Sequence, residues 1–550
     1  MFISIVLRTE YSPYSYRANF YLQALNACIN NRWILITNEY MKYHHQEMQD
    51  GIAERFLKEF NIRTITPSEF DSIEQYYIPD KLFEDKEIEY KSRTKVLSFF
   101  AKESYLELET CIEDIIQKIR ENHPGETIEG VLHCAEAFQP IRNAFNKQGI
   151  PVIPYLFSSI KQPHGYRETL YYANTNGFLY SATESEARFK KFIAEDSKFP
   201  VFSHRELIAL IGKQRSLPLI QLIHHEPYYE MGLCGECNAI IPAYYDYNPY
   251  TDDDMVSECK ELYKPQQMVF RPHAFYLDQI MMSRDELHND PAAFILGSKR
   301  VAASRSWIIL KSLLWGRPSI MKMNTCAFSF MCERDYRSTN TVDLKALNHF
   351  IFCYLVPEEY MFSDDYWKWR MSKPSETAIY KKHLDFYMKK LNLPEDILNE
   401  SSEEIRLKAI LVSRGCDAEV LSDVMTDEQD YDIDYYVASS RFEISGNPHW
   451  RLNKKKDNGQ LVCRIMVTSE EAASGVDFFP LDDVAGFARI ESIIINGKKK
   501  DILQDVYSFK FMPKVRGHYH LDLDANSKNP ITLEIVWEYR KVFDMLNSEN

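Results

Sequence analysis

The chain has 550 residues, 45% of them apolar and 26% charged, with a formal net charge of −15. Such a length exceeds one ordinary hydrophobic core and calls for two to four domains. The composition excludes a disordered chain, and the acidic balance excludes bulk nucleic-acid binding, so positive charge for any phosphate must be gathered locally.

No stretch approaches 18 consecutive apolar residues, so no membrane span is expected, and residues 1–7 are too short an apolar run, without a basic start, for a signal peptide. The 11 cysteines are odd in number and scattered, which reads as reduced thiols. Together these predict a cytoplasmic protein, with the inner face of the membrane as the other place for it to work.

In chain order, residues 2–7 read as a strand, 16–29 as a helix, 33–37 as a strand, 52–60 as a helix and 62–65 as a strand. This alternation is the βαβ pattern of a parallel sheet. Residues 83–121 read as helical. Gly130-Val-Leu-His-Cys134 reads as a strand, 138–148 as a helix and 149–155 as a strand. The first Rossmann-like domain is placed at residues 1–205.

A second alternating set fills residues 206–425 and is expected to bind the nucleotide. Residues 217–223 read as a buried strand, 252–263 as a helix, 267–271 as a strand and 277–287 as a helix. Then comes the most informative segment. Val301-Ala302-Ala303 ends a strand, Ser304 and Ser306 stand in the turn, residues 308–314 form a helix, Gly316 stops it, and 317–320 start the next strand. Small hydroxyl residues at a strand's carboxyl end, beside free helix N–H groups, suit a phosphate. Doubly wound sheets bind ligands at that end. Residues 341–412 read as a helical tail.

From about residue 430 the pattern changes to period two, as in Val462-Cys-Arg-Ile-Met-Val467 and Ile531-Thr-Leu-Glu-Ile-Val-Trp537. Asn496-Gly497 marks a turn. Residues 430–550 therefore read as an antiparallel β-sandwich, joined by an acidic linker at 426–434. The predicted fold class is α/β: two Rossmann-like domains facing a cleft, a helical tail and a C-terminal sandwich.

Three spaced elements carry a resemblance: the segment Pro218-Leu-Ile-Gln-Leu-Ile223, then Phe270-Arg-Pro-His273, then Ala303-Ser-Arg-Ser306 with Leu313-Leu-Trp-Gly-Arg-Pro318. In order and spacing they resemble the nucleotide-binding half of bacterial capsule and lipopolysaccharide glycosyltransferases of the GT-B type. The nearest likeness is to the Kdo transferases that use CMP-Kdo. Residues 136–142 and Gly149-Ile-Pro151 resemble a helix-and-strand unit of the same enzymes. Two departures stand out. Ala274 replaces the family's second proline, and Gln162-Pro-His-Gly165 replaces its Gln-His-Gly step.

The resemblance implies transfer of a sugar from a nucleotide donor to a growing oligosaccharide or glycolipid, with the nucleotide-sugar as substrate and no cofactor. A polysaccharide-assembly partner or peripheral contact with the membrane fits the same reading. His273, Ser304, Ser306, Arg271 and Arg305 are the candidates for the donor phosphate. A carboxylate must serve as base or nucleophile, and Glu226, Glu136 and Glu10 are the candidates because each is placed after a strand. No metal is expected: Cys234-Gly-Glu-Cys237 lacks a second pair, and Asp252-Asp-Asp254 reads as acids at a helix start. Two alternatives stay open. One is a non-catalytic carbohydrate-binding assembly protein with a decayed transferase core, which Ala274 favours. The other is a polymerase transferring polyol phosphate from a CDP-linked donor.

Overall fold

The computed structural model describes residues 1–7, 24, 27–28, 33–42, 65–91, 93–134, 138–161, 169–175, 182–195, 199–212, 217, 220, 223–224, 227, 229–235, 250–264, 267–271, 292–324, 326–361, 363–415, 441–444, 450–456, 462–469, 475–479, 486–500, 509–511, 519–522 and 531–541. The expected helices at 52–60 and 277–287 and the linker at 426–434 lie outside these residues. Of the expected helix at 16–29, Ala24, Ala27 and Cys28 are described, and they are helical.

The first sheet starts from β1 (Phe2–Val6) and β2 (Trp33–Asn38), both buried along their whole length. A strand buried on both faces is the mark of a covered parallel sheet. Side chains alternate between the faces. Ile3, Ile5, Ile34 and Ile36 pack into one core, while Phe2, Val6, Trp33 and Leu35 pack into another. The next strand is β3 (Gln75–Ile78), parallel to β2. Of the strand expected at 62–65, Ile65 alone is described, and it is not in a strand.

Helices Lys81–Tyr90, Arg93–Lys102 and Leu106–Asn122 follow, as expected. The last buries Leu108, Ile112, Ile115, Ile116 and Ile119. That spacing of three and four is one helical face, and each such side chain contributes roughly 1.5–3 kcal/mol. Then β4 (Gly130–Cys134) pairs in parallel with β1, and β5 (Val152–Lys161) with β4. The strand β6 (Thr169–Ala173) turns back antiparallel on β5.

The second sheet holds β7 (Met231–Cys234), β8 (Met268–Arg271), β9 (Val301–Ala303) and β10 (Ser319–Ile320), all parallel. Of the strand expected at 217–223, Leu217, Ile220 and Ile223 are described; all three are buried and, with His224, lie in 3₁₀ turns.

The helical tail does not stay with the second sheet. Helix Leu344–His349 runs into a π-helical turn, Phe350–Tyr354, and then β11 (Leu355–Pro357) pairs antiparallel with β6 at the edge of the first sheet. Helices Asp364–Met371, Glu376–Lys390 and Glu403–Ser413 close the tail. One large core joins residues of both sheets and of the tail, including Leu170, Tyr172, Leu207, Leu310, Phe350 and Tyr380.

The C-terminal strands form two antiparallel sheets. One runs β12 (Arg441–Ile444), β15 (Gly475–Phe479), β19 (Tyr519–Asp522). The other runs β13 (Trp450–Lys456), β14 (Val462–Ser469), β20 (Ile531–Lys541), β16 (Gly486–Ile495), β17 (Lys498–Lys500), with β18 (Phe509–Phe511) also on β16. Its register alternates as the sequence predicts. Leu452, Val467, Leu533 and Ile495 share one row, and the neighbouring row holds Asn453, Met466, Glu534 and Ile494. Asn496 and Gly497 both have positive φ, at 49° and 76°, the two-residue hairpin turn between β16 and β17.

Candidate functional site

Strand order decides where a ligand can enter. The second sheet runs β10-β9-β7-β8, so the order reverses between β7 and β9. The chain leaves these two neighbours in opposite directions, the position at which open α/β sheets take their ligands. In register Gly232, Leu233 and Cys234 face Val301, Ala302 and Ala303, so both strands end level. Ser304 is the first residue past β9 and stands at that reversal.

The turn that follows is packed tightly, with Ser304, Arg305 and Ser306 at 3%, 3% and 7% exposure. Ser304 Oγ donates to Asp252 Oδ1 at 3.0 Å. Ser306 Oγ accepts from the Ile308 N–H at 3.5 Å, a weak cap on the helix Ile308–Leu314. The Arg305 guanidinium lies beside Met323 Sδ at 3.5 Å, and its carbonyl accepts from the Cys326 thiol, so Arg305 reaches toward the segment past β10. Arg271 ends β8 in register with Cys234, on the other side of β7 from β9. The second sheet thus brings Arg271, Ser304 and Ser306 to one edge.

Asp252 is the partner that sequence reading did not assign. Its helix, Asp252–Leu262, is opened by a capping box: Thr251 Oγ1 accepts from the Asp254 N–H, and Asp254 Oδ2 accepts from the Thr251 N–H. Asp254 is therefore spent on the cap. Asp252 reaches across to Ser304. The spacing of Thr251 and Asp254 was the available signal, since it tells which of the three acids caps and which is left over.

The turn also touches the first sheet. The Trp307 ring meets Tyr172 of β6 edge-on, with centroids 4.3 Å apart. The far end of the same helix is held by His204, whose Nδ1 bonds the Leu314 carbonyl at 3.2 Å. Burial pushes the His204 imidazole down to about 4, so it is neutral at pH 7.

The first sheet has its own reversal, between β1 and β4 in the order β5-β4-β1-β2-β3. Ile5 faces His133 in register, so the segments leaving the two strands start side by side. Glu10 stands in the segment after β1 and Glu136 in the segment after β4; both lie outside the described residues, as do Glu226 and His273. The described residues of the strand expected before Glu226 lie in 3₁₀ turns, and β7 begins after it at Met231.

A buried cluster in the helical tail was not foreseen. His349, Cys353 and Glu376 bring ligand atoms within 4.8 Å of one another, close enough for a metal ion. Glu376 is already occupied: Arg188 Nε and Nη2 donate to its two oxygens at 2.8 and 3.0 Å, and His349 Nε2 lies 3.2 Å away. The arrangement is a buried ion pair that ties the helix Ala182–Glu195 to the tail. Sequence periodicity carries no signal for a pairing 188 residues apart.

No protein-family model matches the chain, and no curated protein matches it. Among solved structures, it is similar to the β-Kdo 2,7 transferase KpsC of Thermosulfurimonas dismutans at 15% identity, over 45% of this chain and 86% of that one, with a TM-score of 0.29. It is also similar to the UDP-GlcNAc 2-epimerase of Methanocaldococcus jannaschii, in complex with UDP-GlcNAc and UDP, at 9% identity over 60% and 86%, with a TM-score of 0.25. A third likeness is to S. aureus MnaA with UDP, at 10% identity over 72% and 97%, with a TM-score of 0.27. At TM-scores of 0.29 or less, these likenesses add nothing to what the strand order shows by itself.

Proposed function

We propose that the chain is a nucleotide-sugar-dependent glycosyltransferase of the GT-B type. Residues 1–205 would take the acceptor, 206–425 the donor, and 430–550 would hold polymer or partner as a sandwich. The observation that carries this reading is the pair of strand-order reversals, with Ser304 and Ser306 leaving β9 at one of them. In this reading the donor phosphate lies over the carboxyl ends of β8, β7 and β9. Adjacent strands are about 4.8 Å apart, so a group spanning β8 to β9 covers about 10 Å, which fits a phosphate and the sugar attached to it.

Arg271 and His273 would neutralise the phosphate from the β8 side, and Ser306 would donate from the β9 side. Arg305 would contribute positive charge behind the turn. In sequence Glu10 and Glu136 follow the two strands of the other reversal, and one of them would serve as base for the acceptor hydroxyl or as nucleophile. Glu226 remains a third acid for that role. The donor is a 2-keto sugar acid such as Kdo in the reading that the sequence motifs favour. No cofactor or metal is called for, because the leaving phosphate is met by side-chain donors.

The test is calorimetric titration of the whole chain with CMP, CDP and UDP in the presence of EDTA. Binding of at least one is expected, and Arg271→Ala should weaken it by roughly 1.5–3 kcal/mol, the worth of a hydrogen bond to a charged group. A chain that binds none of the three, or binds equally well without Arg271, overturns the proposal.

A further inference from the structure

We infer that the polar face of the larger C-terminal sheet binds an acidic polysaccharide, one carboxylate to a sugar, and so retains the growing product. The choice of occupant rests on the transferase reading above, in which each sugar acid added brings one more negative charge.

The register sorts the five strands into two faces, because directly paired residues share a face and neighbours along a strand alternate. One row of the first face runs Lys454, Ile465, Ile535, Ile493, Lys500, and another ends on Lys498. In these rows the interior positions are apolar, and Ile493 and Leu533 are buried. The lysines stand on the two edge strands, β13 and β17, where lysine keeps an edge from pairing with another chain.

The second face is different. It carries Arg451 and Lys455 of β13, Arg464 of β14, Arg540 of β20, Arg489 of β16 and Lys499 of β17. Against these six basic positions stand two acids, Glu534 and Glu538, both on β20. Edge protection does not account for Arg464, Arg489 and Arg540, which lie on interior strands. Lys455 is registered directly opposite Arg464, and like charges so placed destabilise a sheet unless an anion joins them. Lys499 is exposed, and Ser492, Ile494, Thr532 and Glu534 are half-buried; Val536 is buried. On a chain of net charge −15 this basic excess is a local concentration.

The residue types favour carboxylates spaced along a sugar chain. Four of the six bases are arginine, whose planar fork matches a carboxylate. Asn453, Thr468, Thr532 and Ser492 lie on the same face and offer hydrogen bonds to sugar hydroxyls. Glu534 and Glu538 on the middle strand divide the bases into two groups. A dense phosphate backbone or a lipid headgroup plane would press charge onto those acids, whereas carboxylates one to a sugar can sit on either side of them. Strands about 4.8 Å apart make the face about 19 Å wide, enough for a stretch of polymer.

The experiment titrates the full chain with short and long fragments of polysialic acid, a chain of 2-keto sugar acids. Dextran, an oligonucleotide of matched charge and phosphatidylglycerol vesicles are run beside them, at low and high salt. Polysialic acid should bind, more tightly as it lengthens and more weakly at high salt, and dextran should not. Arg451→Gln, Lys455→Gln and Arg464→Gln together should weaken it about tenfold, as expected for three solvent-screened charge contacts. Lys498→Gln with Lys500→Gln, on the other face, should change it less than about threefold. If the triple variant melts early, Lys499→Gln, at an exposed position, should still weaken binding about twofold. No binding by the wild-type chain, full binding by the variants of the polar face, or tighter binding of oligonucleotide or vesicles overturns the inference. Titration with CMP, CDP and UDP separates it from the reading it rests on. Nucleotide binding without glycan binding removes this face alone, and glycan binding without any nucleotide removes the transferase and keeps the face.

Discussion

At the scale of single residues, the buried ion pair decides more of the stability than any surface charge. Glu376 is 6% exposed. Burial alone would raise its carboxyl, but the His349 hydrogen bond and the Arg188 charge hold it down to about 2. A depressed carboxylate stabilises the fold above its unfolded value of about 4.3, and that contribution is lost as pH falls from there to about 2. Glu376→Gln leaves Arg188 buried without a counter-charge and should cost about 3–5 kcal/mol. Thermal unfolding at pH 7 measures it. Replacing both partners, with Arg188→Met and Glu376→Leu together, should recover much of the loss. If Glu376→Gln melts with the wild type, the pair is not holding the helix Ala182–Glu195 to the tail.

At the scale of elements, the strand–turn–helix unit at the site depends on how its helix stops. Gly316 has φ +72°, and a Cβ there would come within 3.0 Å of the His204 ring. Gly415 has nearly the same φ, +71°, with nothing within 4 Å. Gly415→Ala should lose the backbone part alone, about 1–2 kcal/mol. Gly316→Ala should lose that and displace His204 from the Leu314 carbonyl, so its midpoint in urea should fall further. Equal losses would show that His204 gives way freely. The helix itself and its glycine stop were readable from residues 308–316, because a repeat of three to four followed by glycine has one local solution. The 3₁₀ turns at Leu217, Ile220 and Ile223 were not, because apolar residues in a short run suit either element.

At the scale of the whole molecule, the larger C-terminal sheet buries Ile493 and Leu533, at 0% and 1% exposure. β18 also lies against the helix Ala292–Leu296 of the second sheet's side. A chain ending at Asp427 should still fold and bind nucleotide within threefold of the full chain, because both strand-order reversals precede the cut. Its transfer to a long acceptor should drop. Circular dichroism melting and nucleotide titration of the shortened chain check this. An unfolded product would show that the C-terminal sheets complete the nucleotide-binding part.

What the sequence by itself determined is local. The buried parallel strands Phe2–Val6 and Trp33–Asn38, the helix Leu106–Asn122, the serine turn and the period-two strands after residue 440 are all written in spacing, since side-chain period and burial are the same fact seen twice. The tertiary structure alone decided the relations between distant segments. Strand order, and with it the two reversals, depends on which edges pair. The return of Leu355–Pro357 to the first sheet, the Arg188–Glu376 pair and the reach of Asp252 to Ser304 each join residues that no local repeat connects. Periodicity says which side of an element is buried; only the assembled chain says against what.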